Sequence, residues 1–210
     1  MKGYIFDLDG TLLDSMHIWD VLSIHYLESL NITPQQKLVE QLKPLSLYEA
    51  AIFIQKEYHL NQSLSQVQDG FYQQLEKEYQ TVTLKEGALS FLEKCYQQNI
   101  PMCLLTANHS HITHKVLKQL NIYHYFNNII SCDDIPYTKQ DIRSYQYASK
   151  LLNLPISKCI VIEDALHAII TAKKSGAFVK AIYDKANHAD WQKIIKIADQ
   201  TYQSFHYMEV

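Results

Sequence analysis

Short apolar runs recur along the chain, at Tyr4–Phe6, Met102–Leu105, Ile129–Ile130, Cys159–Ile162 and Phe178–Ile182. Each gives way to polar turn residues and then to a stretch of helical spacing, an alternation that predicts parallel strands joined by crossover helices. The helices are expected over about Glu86–Gln98, Ser110–Leu120, Asp141–Leu152 and Ala165–Lys174. Pro101 before the second run and Gly176 after the last helix stand where element boundaries belong.

From about Ser15 to Tyr79 the alternation breaks. Trp19, Leu22, Tyr26 and Leu27, then Ala51, Ile54 and Tyr58, follow helical spacing with no strand between them. The expected fold is therefore α/β: a doubly wound parallel sheet built from residues 1–14 and 82–210, interrupted by a helical insertion over 15–81. The chain would cross between the two near Leu13–Ser15 and Thr81–Lys85. A length of 210 residues suits one core domain carrying a smaller insertion.

Composition narrows the partners. Hydrophobic residues at 47% and charged residues at 20% are those of a folded globular chain, not a disordered one. A formal charge of -3 gives no general attraction to nucleic acid or to an anionic membrane, so neither is expected as a partner. A small anionic ligand would need a local positive site. No apolar stretch approaches the ~20 residues of a membrane span, and an acid at position 7 comes too early for a signal peptide. Cys95, Cys103, Cys132 and Cys159 are widely spaced, without a Cys-x-x-Cys pair. Buried reduced thiols and a cytoplasmic location are expected.

Candidate chemistry begins where Phe6 runs into Asp7-Leu8-Asp9-Gly10-Thr11. If the strand continued, period two would put both carboxylates on one side, and Gly10 then lets the backbone turn sharply. An acidic turn is the plainer alternative. A calcium loop fits poorly, since counting from Asp7 puts Leu12 where such a loop needs glycine. Farther along stand Leu104-Leu105-Thr106-Ala107-Asn108, then Tyr137-Thr138-Lys139-Gln140-Asp141, then Ile160-Val161-Ile162-Glu163-Asp164.

In this order the four segments resemble the motifs of the haloacid dehalogenase superfamily, over about residues 1–14 and 82–183. The helical insertion lies where that family's first type of cap is found, and the pattern looks most like the β-phosphoglucomutase branch. The resemblance implies that Asp7 attacks phosphorus to form an aspartyl phosphate, while Asp9 protonates the leaving oxygen and later activates water. It implies a metal held by the Asp7 carboxylate, the Asp9 backbone carbonyl and the Glu163–Asp164 pair. It also assigns the phosphoryl oxygens to Thr106, the Ala107 amide and Lys139, with help from Asn108. An acid at position 9 argues against carbon–halogen hydrolysis, because the dehalogenases lack it.

The physical case runs parallel. Strands of an open parallel sheet present their carboxyl ends to one crevice, and Asp7, Asp9, Thr106, Glu163 and Asp164 all lie at such ends. Carboxylates crowded there repel unless a cation neutralises them, and hard oxygen ligands at a phosphate site point to magnesium. The expected reaction is hydrolysis of a small phosphorylated metabolite, of the sugar phosphate or nucleotide class, by a monomer or weak dimer. A phosphomutase and a phosphate-binding relative without turnover stay open as alternatives. A receiver-type signalling module fits poorly, since its acid pair ends the first strand and its acceptor ends a later one.

Several positions depart from the family pattern. Ala165-Leu166-His167-Ala168 stands where the resembling phosphatases read Ser-x-x-Gly, so a supporting hydroxyl is missing; Gln140 replaces a proline. In the insertion, Lys43-Pro44-Leu45-Ser46-Leu47 stands where mutases carry Lys-Gly-x-Ser-Arg, with leucine in place of the phosphate-gripping arginine. His111 and His114 would neighbour each other on a helix, but a polar helix start is the simpler reading. His17 is a further candidate for touching ligand, Trp19 is expected in the core of the insertion, and Asp14 and Ser15 read as a helix N-cap.

Overall fold

The computed structural model describes residues 2–42, 45 and 47–210. Two compact units emerge, Met1–Asp14 with Thr83–Val210, and Ser15–Val82. The first carries a six-stranded sheet: β1 (Gly3–Phe6), β2 (Met102–Thr106), β3 (Asn128–Ser131), β4 (Cys159–Glu163), β5 (Phe178–Ile182) and β6 (Gln200–Tyr202), in spatial order β3-β2-β1-β4-β5-β6. Every neighbouring pair is parallel.

The second unit holds α1 (Met16–Ser29), α2 (Leu38–Leu42), α3 (Leu47–Glu57) and α4 (Leu64–Glu78). Tyr26, Leu27, Leu38, Ala50, Ala51, Ile54, Val67 and Phe71 form its core. Ser63 starts α4 with a capping box: its hydroxyl accepts from Gln66 N while Gln66 Oε1 accepts from Ser63 N. Ile18, not Trp19, is the buried residue on the first turn of α1; Trp19 is half-buried and His17 exposed. Ser15 occupies the N-cap position of α1 without a side-chain capping bond. Of the expected mutase-like segment, Lys43, Pro44 and Ser46 lie outside the described residues, and Leu47 opens α3.

In the first unit α5 (Ala88–Gln97), α6 (Ser110–Gln119), α7 (Ile142–Leu151), α8 (Leu166–Ser175) and α9 (Trp191–Ile197) cover the sheet. Strand β1 is central and its side chains alternate. Ile5 joins Cys103, Val161 and Val179 against Tyr145 and Ala148 of α7 and Ile169 and Ala172 of α8. Tyr4 and Phe6 meet Phe91 of α5, with ring centroids 5.4 and 6.1 Å away, and Phe6 meets Phe126 at 6.0 Å. A sheet buried on both faces explains the short unbroken apolar runs of its sequence.

The five strands expected from those runs are present, and the helices between them end within two residues of expectation. Strand β6 and helix α9 are additions. The strand offers one aromatic residue in three at the sheet's edge, a pattern too weak to stand out. The first strand ends at Phe6, where its apolar run ends. No helix among the described residues is long and apolar enough to cross a membrane. All four cysteines are free, three of them buried, and burial pushes the thiols of Cys95 and Cys103 well up.

Gly70, inside α4, supports one sign-deciding prediction. Gly→Ala in a helix interior ordinarily stabilises by about 1 kcal/mol. Here the added Cβ would overlap the ring of Tyr26, which is buried, packs edge-on against Phe71 at 4.8 Å and donates from its hydroxyl to Gln62 at 3.0 Å. Displacing a packed ring costs about 1–3 kcal/mol. Gly70→Ala is therefore expected to lower the melting temperature in calorimetry; a rise would show that the ring yields freely.

Candidate active site

The sheet order changes direction at β1: the chain runs outward through β2 and β3, then returns to build β4 on the other side. Adjacent strand ends there leave a crevice at their carboxyl edge, and β1 and β4 open on it. Asp7 follows β1 directly, its amide still donating to Ile162 O of β4 at 3.0 Å. The chain then tightens into a loop. Leu12 N and Leu13 N both donate to Leu8 O at 2.9 Å, and Gly10 adopts a φ of 80°, in the left-handed region that glycine tolerates.

Glu163 ends β4, and its Oε1 accepts from the amides of Asp164 and Ala165 at 3.1 Å each, which fixes its rotamer. At the end of β2, Thr106 Oγ1 accepts from Asn108 N at 3.0 Å. Asn108 Oδ1 accepts from His109 N at 2.7 Å, and Ser131 Oγ of β3 donates to Asn108 O at 2.7 Å. So held, Asn108 Nδ2 donates to Asp9 Oδ2 at 2.9 Å. Lys139 precedes α7 and is 7% exposed; its Nζ donates to Asp7 Oδ1 and, at 2.6 Å, to Glu163 Oε2.

Asp7, Glu163 and Asp164 each offer an oxygen within 4.8 Å of the others, and all three are buried. Only one ammonium, that of Lys139, pairs with this cluster among the described residues. Three carboxylates against one lysine leave the pocket short of positive charge. Burial first, and then Glu163, pushes the Asp7 carboxyl up to about 6, against the pull of Lys139. Asp164 is raised well above the usual carboxylate range by burial, Glu163 and Asp7. Burial works against the charge on Lys139, yet Asp7 and Glu163 hold its pKa well above the ordinary lysine value. A donor set of converging carboxylate oxygens suits a hard divalent cation, which would supply the missing charge.

The structure thus gathers Asp7, Glu163, Asp164 and Lys139 in one cluster, and joins Asp9, Thr106 and Asn108 through the Asn108 bonds. The Asp9 carboxylate stands outside the three-carboxylate group. Ala107 is exposed between buried Thr106 and Asn108. Among the described residues His111 and His114 belong to no cluster of metal-ligating groups. Two contributors escaped sequence reasoning: Thr11 donates to Asp164 Oδ1 at 2.9 Å and Asn187 to Asp164 Oδ2 at 2.6 Å. The one signal for Asn187 was its place just beyond the carboxyl end of β5.

The charge deficit has a measurable pH dependence. A carboxyl raised from an unfolded value of 3.8 to about 6 favours the folded state most below the unfolded value and loses that contribution as pH rises through about 6. With chelator present, Asp7→Asn should therefore gain stability relative to the wild type between about pH 4 and pH 7, read as the difference in melting temperature. A constant difference would mean that the Asp7 charge is not under strain.

With that geometry in view, comparison with known proteins gives a consistent answer. Residues 4–182 match the model of the haloacid dehalogenase-like hydrolase family. A phosphoglycolate phosphatase from Neisseria meningitidis is 24% identical over 211 residues, covering 91% of this chain and 88% of that protein. A 6-phosphogluconate phosphatase from Escherichia coli is 23% identical over 169 residues, covering 79% and 75%. The crystal structure of β-phosphoglucomutase from Clostridium difficile shares the fold, with a TM-score of 0.76 at 20% identity over 100% of this chain and 93% of that one. The doubly wound parallel sheet and the match across most of its length make this chain a member of the haloacid dehalogenase-like hydrolase family.

Proposed function

We propose that this chain is a magnesium-dependent phosphatase that hydrolyses a small phosphomonoester through an aspartyl phosphate on Asp7. The observation that carries the reading is the buried Asp7–Glu163–Asp164 cluster with Lys139, set where β1 and β4 open their carboxyl ends. Two relatives bear the names of phosphatases acting on small phosphorylated acids, which supports the same substrate class here. The unit Ser15–Val82 is read as the family's inserted cap. Leu47, in the place of the mutase arginine, cannot donate forked, charge-assisted hydrogen bonds to a second phosphate, which favours hydrolysis over mutase chemistry. The free cysteines support a reducing compartment, the cytoplasm.

In this reading a carboxylate oxygen of Asp7 attacks phosphorus and the ester oxygen leaves with the proton of Asp9. The product alcohol departs and the phosphoryl group stays on Asp7. Asp9, now ionised and steadied by Asn108, takes a proton from water as that water attacks phosphorus. Inorganic phosphate and free Asp7 are the products. Thr106, the Ala107 amide and Lys139 receive the phosphoryl oxygens, with Asn108 bracing the turn that presents them. The Lys139 ion pair opposes the burial that would keep the Asp7 carboxyl protonated near neutral pH. Magnesium, bound by the oxygens of Asp7, Glu163 and Asp164 and by the Asp9 carbonyl, would offset the charge gathered at phosphorus.

A screen of phosphomonoesters, scored as phosphate release, tests the assignment. Asp7→Asn is expected to lower turnover by about 10³-fold or more, excess chelator to stop it, and added magnesium to restore it. Turnover at the wild-type rate in chelator, or in Asp7→Asn, would refute the mechanism. With β-glucose 1-phosphate and catalytic glucose 1,6-bisphosphate, phosphate release should outrun formation of glucose 6-phosphate; the opposite ranking would make the chain a mutase.

A further inference from the structure

Asp164 differs from its two partners in how it is held. Asp7 and Glu163 share the Lys139 ammonium, whereas no ion pair reaches Asp164 among the described residues. Two neutral donors take its place, one on each oxygen: Thr11 Oγ1 on Oδ1 at 2.9 Å and Asn187 Nδ2 on Oδ2 at 2.6 Å. Thr11 lies four residues beyond Asp7 in the same loop. Asn187 arrives from a different strand, on the turn after β5, whose last residues pair with the end of β4 through Glu163 and Ala181. The neighbouring Ala165 has no side-chain donor to give.

The turn that carries Asn187 is fixed by buried charge. Asp184 is 6% exposed; its Oδ1 accepts from Ala186 N at 2.8 Å and its backbone oxygen from Asn187 N at 3.1 Å. Its Oδ2 pairs with Lys85 Nζ at 2.7 Å, and the same ammonium donates to Tyr183 O at 2.8 Å. Lys85 is itself anchored, its amide donating to Leu12 O at 2.8 Å, in the loop that holds Asp7 and Thr11. The Asn187 amide therefore sits at the end of a chain of bonds, Leu12 to Lys85 to Asp184 to Asn187, that returns to the carboxylate cluster at Asp164. A casual surface contact would have no such support.

We propose that Asn187 is a positioning residue for Asp164, and that the Lys85–Asp184 pair holds it there. An ionised carboxylate has about four lone-pair sites. With one taken on each oxygen by Thr11 and Asn187, the carboxylate loses its freedom to rotate and keeps sites turned toward Asp7 and Glu163. Donors behind a metal-bound carboxylate of this kind typically account for about 10–100-fold in metal affinity. The proposal rests on the reading that Asp164 is a ligand of the divalent cation.

The test is magnesium affinity by calorimetric titration on the full chain, with melting in chelator as the control for folding. Asn187→Leu keeps the approximate size and removes the donor; it is expected to weaken magnesium binding by about 10–100-fold while melting in chelator close to the wild type. Asn187→Ser, which restores a donor of shorter reach, should recover part of the loss. Asp184→Asn, which breaks the ion pair but leaves in place the Lys85 charge that also acts on Asp164, should weaken binding in the same direction, and the double variant Asp184→Asn/Asn187→Leu should be no weaker than Asn187→Leu alone. Wild-type magnesium affinity in Asn187→Leu and Asn187→Ser would overturn the proposal. Wild-type affinity in Asp164→Asn would instead overturn the ligand assignment beneath it, so the two failures are told apart.

Discussion

Asp7, Glu163 and Asp164 are buried together, and among the described residues a single ammonium, that of Lys139, pairs with the first two and none with the third, an imbalance of charge that the surrounding bonds of the first unit hold in place. Burial and mutual repulsion raise the carboxyls of Asp7 and Asp164, so the pocket is under electrostatic strain whenever it is fully ionised. A fold selected only for stability would have replaced such a group with apolar residues. The divalent cation proposed here would relieve the same imbalance, and the proposed phosphoryl transfer would use it. The strain is local. Around it, Glu163 is fixed by two amides, Asp164 by Thr11 and Asn187, and Asp9 by Asn108.

The sheet explains why these groups can be so close and still be held apart. Strands β1 and β4 are neighbours in space but separated by the excursion through β2 and β3, so their carboxyl ends come together without a connection between them to fill the gap. Aromatic packing on one face of β1 and the aliphatic cluster on the other keep that strand from shifting in register. A slip of one residue would exchange the two faces and turn Asp7 away from Lys139. The hydrophobic core thereby sets the geometry of the charged cluster.

Much of this was legible in the sequence because the relevant signals are local. The apolar runs of β1, β2, β4 and β5 end in Asp7, Thr106, Glu163 and, after β5, the Tyr183–Asp184 turn, so strand ends and candidate chemistry coincide. Lys139 was identified by its place in the order of the family's motifs, but nothing local revealed that its ammonium would be buried between Asp7 and Glu163. Those contacts span 132 and 24 residues. Asn187 and Lys85 were illegible for the same reason: an asparagine in a polar turn and a lysine beside a chain crossing look like ordinary surface residues until the fold joins them. Edge strand β6 was missed because a three-residue strand carries too little pattern, and helical spacing to Leu22 and Tyr26 fits Trp19 as well as Ile18, so spacing alone did not show that Ile18 is the buried one.

The account turns on Asp7 carrying the phosphoryl group. The most direct measurement is to incubate the protein with magnesium and acetyl phosphate, quench in acid, reduce any acyl phosphate with borohydride, and locate the reduced residue by peptide mass spectrometry. Homoserine at position 7, dependent on magnesium, is the predicted result. Reduction at another carboxylate, or turnover of the phosphodonor with none at position 7, would contradict it.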